Sequence, residues 1–308
     1  MDRGLHKVII VTRKTRLEEL KRKFNTVEQA RFYVEHLGAD FGDYLLEDQN
    51  YHHALIMVTT AAEQMARVQV IPREYIANMI FGENDVVITV GQDGLVANVM
   101  KYLKGQPLIG VNPDPARWNG QLLPFTPADV HTLLPEVLAG SHHEKTITMA
   151  KAESKDGQIL YAANDFFLGI CDHRSARYDI MYRGQREVQS SSGVIISTGL
   201  GMSGWHRSVM TQLRGLSKCF GLGCLQEPDY RWDERTLHFS VREPFPSCST
   251  GTEIVYGELS QHEELIFRSN MAEDGILFSD GIAEDAIEFN SGMEIKISVA
   301  KRQGRLVI

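Results

Sequence analysis

The chain has 308 residues, 43% of them hydrophobic, and a formal net charge of −8. That length and apolar share are enough for a sizeable core in two domains, and the acidic balance argues against a general nucleic-acid binder. No apolar stretch is long enough to cross a bilayer, and Met1–Leu5 runs toward a strand without a signal-peptide core, so a cytoplasmic protein with no membrane or nucleic-acid partner is expected. Cys171, Cys219, Cys224 and Cys248 are too few and too irregularly spaced for a disulfide framework or a zinc site, which leaves reduced thiols as the simplest reading.

In chain order, Lys7–Thr12 reads as a first strand, and a charged amphipathic helical stretch runs from Arg16 to His36, ending at Gly38. Arg13, Lys14, Arg16, Lys21, Arg22 and Lys23 make this region basic; such a patch is either a solvated helix face or a surface for polyanions. A second helical stretch near His53–Arg67 leads into Val68–Ile71, and Val86–Val90 is a short β-branched run without alternation, as in a parallel strand covered on both faces. A helix then reaches Tyr102, followed by the strand Pro107–Val111 and a helix over Pro127–Leu138. This alternation predicts an α/β domain over 1–140 with crossover helices on a parallel sheet. A polar stretch, Ser141-His142-His143, marks the expected boundary. Beyond it strands dominate: Lys145–Ala152, the mostly apolar run Gln158–Ile170, Arg177–Tyr182, Val194–Ser197, Thr236–Val241, Glu253–Leu259, Glu264–Arg268 and Glu294–Val299. The expected second domain, 141–308, is therefore β-rich, and its C-terminal tail is allowed to return to the first domain.

Four segments offer chemistry. Gly91-Gln92-Asp93-Gly94 follows the apolar run at Val90 and opens a helical pattern, placing Asp93 at the carboxyl end of a parallel strand, where α/β sheets bind ligands; Gly-x-Asp-Gly also makes an ordinary turn. Asn112 and Asp114 follow the next parallel strand and would share its carboxyl edge, unless they only form a proline-stiffened turn. Asn164 and Asp165 interrupt an apolar run, so they are either paired structurally or exposed at a ligand edge. Finally, Ser197-Thr198-Gly199-Leu200-Gly201-Met202-Ser203-Gly204-Trp205 combines glycines, hydroxyls and an indole before a helical stretch over His206–Leu213; it suits either a nucleotide cradle or a tight turn with a core tryptophan. His52-His53 and His142-His143 lack the spacing of a helical metal site, so no metal ligands are assigned, and Met57, Met65, Met79 and Met100 read as core filler.

Taken in order, these segments resemble the NAD kinase family. Its Gly-Gly-Asp-Gly-Thr loop corresponds to Gly91–Leu95, its Asn-Glu or Asn-Asp pair to Asn164-Asp165, and its Thr-x-Thr-Gly-Ser-x-x-aromatic turn to Thr198–Trp205. The divergent, mitochondrial-type branch is the nearer match, through Val11–Arg16, Ile109–Pro115, Ser191-Ser192-Gly193, Thr198-Gly199 with Trp205, and Val241–Pro244. The resemblance implies a Rossmann-like α/β N-terminal domain, a β-sandwich C-terminal domain and a site in the cleft between them. It also implies transfer of the terminal phosphate of ATP, with Mg²⁺, or of polyphosphate to the adenosine-ribose 2′-hydroxyl of NAD, giving NADP. By the same resemblance Asp93 takes the hydroxyl proton, and Gly91, Gln92 and Gly94 form the phosphate loop. Asn164 and Asp165 then hold hydroxyl and amide groups of NAD, Asn112 and Asp114 are counted among the nucleotide-binding residues, Thr198, Gly199, Gly201, Ser203 and Trp205 line the pocket, and a homo-oligomer, dimer or tetramer, is implied. Gln92 and Leu95 replace a glycine and a threonine of the family loop, and Leu200 and Met202 replace a threonine and a serine. These changes leave two alternatives: a kinase of the same superfamily with a lipid or sugar acceptor, and a non-catalytic dinucleotide sensor.

Overall fold

A computed structural model describes residues 6–223 and 230–308; Met1–Leu5 and Cys224, which figure in the sequence reading, lie outside the described residues. The chain divides into two compact units, one running to Lys145 and regaining the chain at Arg305–Ile308, the other Thr146–Gly304.

In the first unit the elements are β1 (Lys7–Thr12), α1 (Arg16–Phe24), α2 (Val27–His36), α3 (Phe41–Glu63), β2 (Arg67–Pro72), β3 (Val86–Val90), α4 (Asp93–Met100), β4 (Pro107–Val111) and α5 (Val130–Leu138). The strands pair in parallel in the order β2-β1-β3-β4, with Ile10 opposite Ile88 and Ile88 opposite Ile109. All five β3 residues are buried, which is what a β-branched run without alternation requires. Val8, Ile10, Ile88, Val90, Ile109 and Val111 bury against Ala54, Val58 and Ala62 of α3 and against Val130, Leu134 and Val137 of α5. Burial of these aliphatic side chains stabilises the unit by roughly 1.5–3 kcal/mol for each large one. Arg305 and Leu306 add in parallel beside Pro107 and Leu108 of β4.

Two helix expectations need correction. The stretch Arg16–His36 is two helices, because Asn25 takes the left-handed conformation (φ 64°) and returns its N–H to the Lys21 carbonyl, ending α1. Thr26 then caps α2, its hydroxyl accepting from the Gln29 N–H at 3.2 Å. The helix expected from His53 begins at Phe41, where the Asp40 carboxylate caps the Gly42 N–H at 2.7 Å. Tyr51, Ala54 and Val58 make up its buried side.

The second unit contains β5 (Glu144–Ser154), β6 (Ile159–Ala162), β7 (Asp165–Ile170), β8 (Ala176–Tyr182), β9 (Gln185–Ser191), β10 (Val194–Ser197), α6 (Trp205–Phe220), β11 (Thr236–Val241), β12 (Tyr256–Ser260), β13 (Leu265–Ser269), β14 (Gly275–Ser279), β15 (Ile282–Glu288) and β16 (Glu294–Val307). One antiparallel sheet has the order β12-β11-β10-β7-β14-β15; in the other β16, β13, β8 and β9 are neighbours in that order, with β5 beside β16 and β6 beside β5. Phe166, Leu168, Ile196, Phe239 and Leu277 of the first meet Ala150, Tyr178, Ile180, Phe267 and Ile295 of the second in one core, so the unit is a β-sandwich. The single apolar run expected over Gln158–Ile170 is two strands, β6 and β7, parted at Ala163-Asn164. Strands β9, β14 and β15 carried no signal strong enough to be expected. Their polar or glycine-containing stretches, such as Gln185-Arg186-Glu187, are held by pairing instead, β9 with β8, β14 with β7 and β15 with β14.

Candidate functional site

In the first unit the candidate residues gather at the carboxyl edge of β3 and β4. The Gly91 N–H donates to the Val111 carbonyl at 3.1 Å, which ties the two strand ends together. Asp93 is the first residue of α4, and its Oδ1 accepts from the Leu122 N–H at 2.7 Å; the other carboxylate oxygen has no hydrogen-bond partner among the described residues. Gln92 occupies the cap position, yet its side chain makes no capping bond; the Leu95 N–H donates to the Gln92 carbonyl at 2.9 Å, while the Asp93 and Gly94 N–H groups are not closed off by the cap. The loop that carries Leu122 can approach only because Gly110 lacks a Cβ, which would fall 2.0 Å from the Leu122 carbonyl oxygen.

The two glycines of the loop differ in what surrounds them. A Cβ on Gly94 would meet nothing within 4 Å, so this exposed position is open for a ligand to approach the backbone. A Cβ on Gly91 would lie 3.1 Å from Leu95 Cδ2 and 3.3 Å from Arg13 Cδ. Gly91 therefore answers to internal packing, and Leu95, the residue in place of a threonine, is a buried core side chain beneath it.

Arg13 is one member of an ion-pair network behind this loop. Its guanidinium donates to Glu47 Oε1 at 3.0 Å and to the Lys14 carbonyl at 2.9 Å, and Arg16 pairs with both Glu47 and Asp43. Arg117 also reaches Asp43, and Asn50 donates to Asp114 at 3.0 Å. Arg117 and then Arg16 hold the Asp43 carboxyl well below the usual carboxylate range. Burial pushes the Glu47 carboxyl up, but Arg16 and Arg13 more than offset it and leave it below its ordinary value. Lys14 pairs with Glu74. The basic N-terminal stretch is thus largely neutralised up to Arg16. Asn112, predicted as a ligand residue, spends its side chain locally, donating to the Trp118 carbonyl at 2.9 Å and accepting from the Asp114 N–H at 3.1 Å. Glu18, Asp48 and His52 place ligand atoms within 4.8 Å of one another, a grouping the histidine spacing did not reveal. Glu18 and Asp48 are already engaged with the Thr15 backbone N–H and hydroxyl, and the His52 ring with the Asp48 carbonyl.

In the second unit the interruption between β6 and β7 at Ala163-Asn164 meets the turn after β10. Thr198 is fully buried; its N–H donates to the Asn164 carbonyl at 2.9 Å and its hydroxyl to the Ala163 carbonyl at 2.6 Å. The same hydroxyl accepts from the Gly201 N–H at 3.2 Å. Gly201 is required here, since a Cβ would fall 2.1 Å from the Asn164 carbonyl oxygen, and Gly199 likewise faces the Arg231 carbonyl oxygen at 2.1 Å. Thr198, Gly199 and Gly201 therefore fix the shape of this turn through backbone packing. Ser203 is exposed, with its hydroxyl donating to the Leu200 carbonyl at 3.0 Å. Trp205 opens α6 and stacks on Phe167, centroids 5.3 Å apart at 15°, with Arg242 5.4 Å from its ring. The Asn164 side chain is half-buried and has no hydrogen bond among the described residues. Asp165 is 7% exposed, and burial first, with the Asp280 charge second, pushes its carboxyl up to about 7.

Asp280 was missed by the sequence reading. Its carboxylate bonds the backbone of residues 163–165, more than a hundred positions away.

Two solved structures share this arrangement of an α/β unit and a β-sandwich unit. An NAD kinase from Archaeoglobus fulgidus, solved in complex with ATP, covers 98% of this chain and 93% of its own at 15% identity and a TM-score of 0.56. The yeast NADH kinase complexed with NADH covers 99% of this chain and 84% of its own, also at 15% identity, with a TM-score of 0.57. At that identity the likeness establishes the fold. In sequence, an NAD kinase of Ralstonia nicotianae is 28% identical over 138 residues, a match that spans 39% of this chain and 42% of that relative's length. No protein-family profile matches the chain. The chain has the fold of these two solved kinases, and over 138 residues its sequence is similar to that of an NAD kinase.

Proposed function

We propose that the protein transfers the terminal phosphate of ATP to the 2′-hydroxyl of the adenosine ribose of NAD, or of its reduced form, giving the corresponding NADP. The observation that carries this reading is Asp93. It stands at the carboxyl end of β3 in the first turn of α4, one oxygen oriented by the Leu122 N–H and the other left for a substrate. That placement suits a base that orients a hydroxyl and takes its proton as the new P–O bond forms. ATP enters as its Mg²⁺ complex, whose metal offsets phosphate charge, and no residue of this chain is assigned as a ligand of the free ion. The Asp93 and Gly94 N–H groups that open α4 and the open face of Gly94 offer the phosphates neutral donors and close approach. Asn164 and Asp165 contact the dinucleotide, and the backbone around Thr198, Gly199 and Gly201 walls the pocket. The protein acts in the cytoplasm as a homo-oligomer; no helix among the described residues is long and apolar enough to cross a membrane.

The test is NADP formation from NAD, ATP and Mg²⁺, with NADH and polyphosphate as alternative substrates, beside dinucleotide binding by calorimetry. Asp93→Asn should reduce turnover by at least a thousandfold while leaving dinucleotide affinity within a few fold. An unchanged rate would remove Asp93 from the chemistry. Binding without turnover in the wild type would favour a sensor, a reading to which the replacement of a loop hydroxyl by buried Leu95 contributes.

A further inference from the structure

The turn joining β14 to β15 carries Asp280 at φ 52° and Gly281 at φ 73°, the backbone of a tight two-residue hairpin. The Asp280 carboxylate reaches well beyond its own turn. Oδ2 accepts from the Ala163 N–H at 3.0 Å, and Oδ1 accepts from the Asn164 N–H at 2.7 Å and the Asp165 N–H at 3.2 Å. The Asp280 N–H donates back to the Asp165 carbonyl at 2.9 Å. Three consecutive N–H groups thus converge on one carboxylate, in the manner of a backbone nest holding an anion.

The Asp165 carboxyl beside it has the opposite surroundings. It is buried, and among the described residues no N–H, hydroxyl or cation reaches it. Its strand neighbour across the sheet is Ser197 of β10, Ser279 of β14 lies opposite the next residue, Phe166, and Asp280 is the charged group that acts on it. When two carboxyls are forced together, the one that accepts several N–H bonds keeps the charge and the unsupported one keeps the proton.

We propose that Asp280 is a positioning residue for the dinucleotide: it fixes the backbone of residues 163–165 and keeps the neighbouring Asp165 carboxyl neutral, so that Asp165 meets the ligand as a hydrogen-bond donor. This rests on the reading that Asn164 and Asp165 face the dinucleotide. The ligand group recognised is then an acceptor, such as a carboxamide oxygen or a ribose oxygen. A carboxylate at this position would instead meet such an oxygen with two acceptors and no donor.

The experiment is NAD binding by calorimetry from pH 6 to 8.5 on wild type, Asp280→Asn and Asp165→Asn, with steady-state kinetics on the same proteins. In the wild type, affinity should fall about tenfold per pH unit once Asp165 loses its proton. Asp280→Asn retains an oxygen for the backbone donors but no charge, so the fall should begin at least one pH unit lower; at pH 8 KM for NAD should rise while kcat at saturation stays within a few fold. Asp165→Asn is always neutral and always a donor, and should bind with no fall across the range. The same midpoint in Asp280→Asn as in wild type, or loss of binding at every pH in Asp165→Asn, would overturn the proposal. A carboxyl ¹³C titration of the ligand-free protein, with Asp165→Asn used for assignment, reads the proton without any substrate. A normal carboxyl midpoint for Asp165 there refutes the proposal even if NAD binds. A raised midpoint in a protein that binds no dinucleotide refutes instead the functional reading on which it rests. Should Asp280→Asn not fold, the Asp165→Asn profile and the wild-type spectrum decide.

Discussion

Replacing Asp165 by Asn should change how stability depends on pH, and the direction follows from its surroundings. The folded protein holds this proton up to about 7, while an unfolded aspartate releases it near 3.8. Between those values the folded state binds the extra proton, so acid favours folding. This contribution is fully present below pH 4 and is lost as the pH rises toward 7. A gap of about three pH units at roughly 1.4 kcal/mol each puts the loss at about 4 kcal/mol as a ceiling, because water penetration and rearrangement on ionisation reduce it. Asparagine has no proton to lose. The difference in unfolding free energy between Asp165→Asn and wild type should therefore grow in favour of the variant by roughly 2–3 kcal/mol from pH 5 to pH 8. Urea unfolding followed by a probe in the β-sandwich unit measures it, and taking the variant-minus-wild-type difference cancels every other titrating group. A difference that stays constant across that range would refute the reasoning, whatever its size at one pH.

Other changes follow from the packing. Gly201→Ala drives a Cβ into the Asn164 backbone carbonyl, which cannot swing away as a side chain would, and should cost about 1–3 kcal/mol together with dinucleotide affinity; a melting temperature and Kd equal to wild type would contradict the contact. Glu47→Ala should cost about 3–5 kcal/mol, since it leaves Arg13 and Arg16 without the nearly buried carboxylate they share. In the wild type that contribution is present at neutral pH and is lost as the pH falls through the depressed Glu47 value, so a urea series down to pH 3 should show the two proteins converging. Leu95→Thr should lower stability by roughly 1–3 kcal/mol by emptying space beneath Gly91, and a more stable variant would show that the site collapses around the smaller side chain.

The parallel strands and the Gly-rich turns were legible because their causes are local: β-branched runs such as Val86–Val90, and glycines where strand meets helix. The break at Asn25 was legible in principle, as an asparagine that accepts the left-handed conformation followed by a capping threonine. What each glycine is for was not. Gly91, Gly199 and Gly201 read as loop glycines and Gly110 as a strand residue, yet each answers to a particular partner: Arg13 and Leu95 for Gly91, Leu122 for Gly110, Arg231 for Gly199, and Asn164 for Gly201. Thr198 likewise read as a pocket hydroxyl, but it is consumed by the carbonyls of 163 and 164. The pairing of Asp280 with residues 163–165 joins segments 115 to 117 positions apart, and no periodicity or spacing encodes such a contact.

The return of Arg305–Ile308 to the first unit has a consequence for how the protein is made. In chain terms the β-sandwich is an insertion into the α/β unit, whose sheet gains the neighbour of β4 only from residues that follow all of Thr146–Gly304. During synthesis the edge of β4 must wait for the whole sandwich to be translated, so the first unit begins folding first and is completed last. For the same reason the gene cannot be cut once to yield two independent halves. An isolated first unit requires a short linker that joins the region of Lys145 directly to Arg305.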